Sequence, residues 1–183
     1  MIDDIIEKSY KDFFPIIPEL CSMLSKLLID QCPEVKNRIS ETIIKLIKVL
    51  GNKMGAHAKN ICGSLCANLK HSHNKIRKIT LQVKLIIYIK ALCEVLLCEN
   101  AGKNFEECYP LLKMSSNDKK PDVRNVFYSV AFKLINNFNI IHLRKYEHQL
   151  VILLMNGLGD DQVDIVNTCY RLLEEAGEHR LVI

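Results

Sequence analysis

The sequence predicts an all-α fold, a right-handed solenoid of about four stacked helical hairpins. Three observations carry that prediction. One heptapeptide, Asp118-Lys-Lys-Pro-Asp-Val-Arg124, returns in weaker form as Asp30-Gln-Cys-Pro-Glu-Val-Lys36, His71-Ser-His-Asn-Lys-Ile-Arg77 and Asp160-Asp-Gln-Val-Asp-Ile-Val166. Its branched apolar members, Val35, Ile76, Val123 and Ile165, stand 41, 47 and 42 residues apart, a period that suits a helix on each side of the turn. Between the copies, apolar residues recur at three- and four-residue spacings, and no alternating strand pattern appears.

Each residue type in the turn has a physical task. Proline is tolerated in the first turn of a helix, so Pro33 and Pro121 mark helix starts. The acids Glu34, Asp122 and Asp164 then sit at the positive end of the helix dipole. The leading acids Asp30, Asp118 and Asp160, and the bases Lys36, Arg77 and Arg124, are spaced to pair within a turn or between stacked turns. Partly exposed pairs contribute little, about 0–1 kcal/mol, so such a ladder sets register more than stability. The second copy lacks the acid and the proline; the fourth lacks the proline and the base.

The Pro-Asp-Val-Arg turn at residues 121–124, with its echo at 33–36, resembles the turn inside HEAT repeats. Three longer stretches resemble the HEAT-repeat axonemal dynein assembly factor family. They are Leu27-Leu-Ile-Asp-Gln-Cys-Pro-Glu-Val-Lys36, Leu69-Lys-His-Ser-His-Asn-Lys-Ile-Arg77, and Leu158-Gly-Asp-Asp followed by Leu172-Leu-Glu-Glu-Ala-Gly177. That resemblance implies a cytoplasmic, non-catalytic protein-binding scaffold for assembling dynein arms of cilia, with dynein chains and chaperones as partners. The alternatives on the same fold are a nucleic-acid-binding HEAT protein and a transport-receptor or phosphatase-type scaffold.

Taken in order, residues 1–14 predict an N-terminal helix, and repeats follow at 15–51, 54–99, 104–138 and 142–177. Pro15 and Pro18 launch a helix over 16–29. The next, 33–50, carries the stripe Val35, Ile39, Ile43, Leu46, Ile47 and Leu50 and is closed by Gly51. The helix over 55–69 contains Gly63, for which packing room between hairpins is the expected reason. The longest helix runs over 74–98. Residues 100–103 read as a loop before a helix over 105–114. Helices over 121–137, 143–158 and 163–176 complete the array, with Gly177 as the final cap. The apolar ending Leu181-Val182-Ile183 and the amphipathic run 2–14 predict a slice of a longer array, or ends that pack against something.

The eight cysteines are scattered through helical patterns, as expected of reduced, buried thiols rather than a disulfide framework. The most apolar run, 79–98, is broken by Lys84, Lys90 and Glu94, each costing about 2.5–3.5 kcal/mol at a bilayer centre, so no membrane span is expected. Cys62, Cys66, His71 and His73 are zinc-ligand types, but a helix plus a turn offers no compact knuckle, and no metal or cofactor is expected. No nucleophile elbow, phosphate-binding glycine loop or His-Glu-x-x-His helix is present, so no catalytic residue is assigned.

Charge is segregated. Residues 42–93 hold ten bases and no acid, while the remainder holds 15 bases against all 21 acids. Lys70, Lys75, Arg77, Lys78 and Lys84 form the candidate partner-binding surface, for an acidic protein segment; the alternative is a lysine-rich composition that fills solvated helix faces. In HEAT arrays the second helices line the concave side, which places Lys84 in the groove and Lys70 and Lys75 at its rim. Nucleic acid is disfavoured, since Tyr88 is the segment's single aromatic residue and Arg77 its single arginine.

Overall fold

The computed structural model describes residues 15–50, 58–86, 99–137 and 141–181. The expected helix over 1–14, the Gly51 cap and residues 87–98 lie outside the described residues. Within them the chain forms eight α-helices and no strand. These are α1 (Ile17–Leu27), α2 (Pro33–Leu50), α3 (Ala58–Asn68), α4 (Asn74–Ile86), α5 (Glu99–Ser116), α6 (Pro121–Asn137), α7 (Ile141–Asn156) and α8 (Val163–Leu181). A 3-10 turn, Gly157–Gly159, joins the last two. The helices pair as hairpins and pile into two layers. The first helices α1, α3, α5 and α7 pack in succession, and so do the second helices α2, α4, α6 and α8. This is an all-α solenoid.

The turn chemistry explains where the second helices begin. Pro33 and Pro121 open α2 and α6, and both helices span the predicted residues at both ends. Glu34, Asp122 and Asp164 occupy the first turns of α2, α6 and α8, whereas α4 has no acid there. The leading acids fold each turn back on itself: Asp30, Asp118 and Asp160 accept the N–H two residues on, at 2.7, 2.9 and 3.0 Å.

The core is continuous from hairpin to hairpin. α2 contributes Ile43, Leu46, Ile47 and Leu50; α6 contributes Val123, Phe127, Val130, Ala131, Leu134 and Ile135. Three of the four periodic markers, Ile76, Val123 and Ile165, are fully enclosed, and Val35 in the first hairpin is half-buried. The last seam depends on a glycine. A Cβ added at Gly157 would stand 2.8 Å from Tyr128 Cζ and closer still to Cys169 Sγ, so only glycine lets this turn approach α6 and α8.

Several expectations need correction. Residues 100–103 are not a loop: α5 begins at Glu99 and keeps both Gly102 and Pro110 inside it. An interior glycine costs about 1 kcal/mol, and the packing of α5 on its neighbours, with Leu112 buried, outweighs it. Gly177 does not cap α8, which continues to Leu181. Gly63 is not there to make room, because an added Cβ would meet nothing within 4 Å. Cys21, Cys62 and Cys169 are buried, Cys66 is half-buried and Cys32 is exposed. Cys32 precedes Pro33 in an open turn and donates to Glu34 at 3.1 Å.

Candidate functional site

The four turns are bolted together along one edge. Arg77 reaches forward from the second hairpin and donates Nε and Nη2 to the two carboxylate oxygens of Asp118, at 2.6 and 2.7 Å. It also donates Nη1 backwards to the carbonyls of His71 and Ser72, at 2.6 and 2.8 Å. Arg124 repeats the pattern one hairpin on. It clasps Asp160 through two bonds of 2.7 Å, donates to Asp161 at 2.5 Å, and donates to the carbonyl of Asp118 at 2.9 Å. Each guanidinium fork thus closes its own turn and grips the next, a task that suits arginine's fixed planar donors.

These rungs are more enclosed than the sequence suggested. The Arg77 and Asp118 side chains are 12% and 10% exposed, and those of Arg124 and Asp160 are 11% and 5%. Burial alone would raise the Asp118 carboxyl. The Arg77 bond, the Lys120 N–H and the charges of Arg77 and Arg124 outweigh it and hold the group below its usual range. Asp160 is lowered chiefly by its bond to Arg124, against its burial. The same bond raises Arg124.

The first rung is built from different parts. The second turn has His71 where the others have aspartate, so Lys36 finds no carboxylate there. Its ammonium donates instead to Asn68 Oδ1 at 3.1 Å, and Asn68 in turn donates to the Leu28 carbonyl at 2.9 Å. Ser64 adds a parallel bond to the Ser25 carbonyl at 2.9 Å. His71 still does the aspartate's local work, accepting the His73 N–H on Nδ1 at 3.1 Å. That role requires an unprotonated Nδ1. Burial, followed by the charges of Lys36, His73 and Arg77, pushes the imidazole below its usual pKa.

Four of the five cationic residues singled out from the sequence have described side chains, and these divide between the ladder, a surface pair and solvent. Arg77 is committed to the ladder. Lys78 pairs with Asp122 at 3.2 Å on the surface. Lys70 and Lys75 are exposed. Lys84 belongs to α4, and its side chain lies outside the described residues. Sequence reasoning missed Lys119 and Lys120, which stand on the third turn beside Lys70 and flank a groove of about 350 Å³. Their signal was in view, inside the repeated heptapeptide itself. A second groove, of about 610 Å³, lies between the starts of α2 and α4 and mixes Glu34 and Glu41 with Arg38 and Lys75. Among the described residues no group of three or more His, Cys, Asp or Glu is placed to hold a metal. No described helix is long and apolar enough to cross a membrane.

Comparison with known proteins agrees with this architecture. An engineered protein solved by a structural genomics consortium superposes with TM-score 0.60 at 13% identity, over 87% of this chain. This chain spans 63% of that protein's length. A designed armadillo repeat protein in complex with the peptide (KR)4 gives TM-score 0.63 at 16% identity, covering 96% of this chain and 78% of its own. Computationally designed armadillo repeat proteins for modular peptide recognition give 0.53 at 16% identity, covering 84% and 69%. At such identities these likenesses show the fold. Among curated proteins nothing matches. The family model described as dynein axonemal assembly factor 5-like, TPR repeats, matches residues 1–180. Its description names a repeat of about 34 residues, and the hairpins here recur at the longer interval of HEAT and armadillo units. By that match over nearly its whole length, the chain belongs to the dynein axonemal assembly factor 5-like family of helical repeats.

Proposed function

We propose that this chain is a non-catalytic scaffold that holds a protein segment while axonemal dynein arms are assembled in the cytoplasm, alongside chaperones and dynein chains. The family match over residues 1–180 is the observation that carries this reading. The ladder of turns supports a mechanical role: rungs and seams fix the spacing of successive helices, and a rigid, repetitive surface binds extended partners at low entropic cost. A designed protein of the same fold holds a peptide, (KR)4. Here the excess of cations on the second hairpin selects an acidic segment instead.

Depletion of the protein in a ciliated cell tests the assembly role. The expected result is axonemes lacking dynein arms, with dynein chains retained in the cytoplasm and restored by re-expression. Axonemes with a full set of arms after complete depletion would overturn it.

A further inference from the structure

We propose that the groove between the second and third turns is the docking site of an acidic protein segment, with Lys70, Lys119 and Lys120 as its contacts. The inference rests on the protein-binding reading above and gives that reading a place. The floor of the groove is the Arg77–Asp118 rung. Its one carboxylate, Asp118, is already gripped by a guanidinium at 2.6 and 2.7 Å and is not free to neutralise the lysines. Lys70, Lys119 and Lys120 are all exposed, and among the described residues none of them is paired with a carboxylate. Lys78, by contrast, has found Asp122. Three unneutralised ammonium groups around one groove form a focused positive field.

One further observation agrees in chemistry. Met114, 58% exposed, lines the same groove and offers a soft apolar anchor. An acidic peptide with one apolar side chain matches both the charge and this anchor. The groove has no Phe, Tyr or Trp among its lining residues, so it lacks the stacking platform of a single-strand site. The larger groove carries both signs of charge and makes no such selection.

The test is a fluorescence-anisotropy titration of the full chain with a short labelled peptide rich in Glu and carrying one central Leu. Changing Lys70, Lys119 and Lys120 together to Glu is expected to weaken binding by about tenfold or more, as attraction at three positions becomes like-charge repulsion. The same change at Lys45, Lys48 and Lys75, in the basic segment that holds Lys70 but outside the groove, is expected to leave it within about threefold. Circular dichroism of both variants, and a Lys-to-Gln triple variant of the groove, separate lost binding from lost folding. Equal weakening by the two Glu variants would overturn the groove while leaving a diffuse basic surface. No binding to the wild type, no effect of the groove variant, or efficient competition by a DNA duplex would overturn the acidic-peptide site altogether. None of these outcomes bears on the dynein-arm assay, so the two readings fail separately.

Discussion

The first seam of the stack and the later two do the same job with different chemistry. Between hairpins two and three, and three and four, an arginine fork closes on an aspartate of the next turn. Between hairpins one and two the aspartate is gone, and Lys36, Asn68 and the Leu28 carbonyl form a chain of longer bonds. The lesson is that the stack requires a polar link at each turn, but not one particular pair. A carboxylate rung confers strength and acid resistance. An amide rung is tolerant of losing a partner and places a histidine where protonation matters.

Breaking the rungs should expose that difference first. Arg124→Met strands the Asp160 carboxylate, which is only 5% exposed, and should cost about 2–3 kcal/mol, below the range for deeply buried pairs because the ladder lies on an edge. Arg77→Met should cost nearly as much. Lys36→Met leaves Asn68 still donating to Leu28 but strands its buried Oδ1, a neutral acceptor rather than a charge, and should cost about 1–2 kcal/mol. Urea unfolding of the three variants measures the order, and a Lys36 variant as unstable as the Arg124 variant would contradict it.

Packing at the last seam comes next. Gly157→Ala pushes a methyl group against Tyr128 and Cys169 and should cost about 1–3 kcal/mol. The same change at Gly63 meets open space inside a helix and should stabilise by about 0.5–1 kcal/mol. Paired thermal melts distinguish the two signs.

A smaller effect sharpens the comparison at the second turn. His71→Asp restores the acid near Lys36 and Arg77 and should stabilise by about 0.5 kcal/mol at neutral pH. The smallest effect is the pH dependence of the native chain. Because the folded pKa of His71 lies below its ordinary value, the unfolded chain takes up this proton first. The stabilisation is therefore complete above about pH 6.5 and is lost as pH falls from there through the folded pKa. Asp118 and Asp160, also lowered, lose theirs only as pH falls from about 4 through their folded values. Melting temperatures at pH 7 and 5.5 should separate wild type from His71→Asp, with the variant the less pH-sensitive of the two.

Much of this stack was legible in the sequence where several local signals coincide. At Pro33 and Pro121 a proline, an acid and a branched apolar residue mark one helix start, and the apolar stripes fix the following helices residue by residue. Where a single residue type carried the inference, it failed. Gly102 and Gly177 suggested ends, yet tertiary packing in α5 and an open surface in α8 let the helices run through them. The ladder's members were visible by their spacing, but their enclosure was not, since burial depends on how neighbouring turns approach. His71 stood in register with three aspartates. Its ability to accept through Nδ1 was the available clue to its role. Asn68 had no such clue, because a lone polar residue in an apolar stripe carries no period.

The most direct test of the ladder is a double-mutant cycle between Arg77 and Asp118, 41 residues apart in sequence. With Arg77→Met, Asp118→Asn and the pair measured by urea unfolding, stacked and aligned turns predict a coupling of about 1.5–3 kcal/mol. A coupling within about 0.5 kcal/mol of zero, the range for independent sites, would contradict the account.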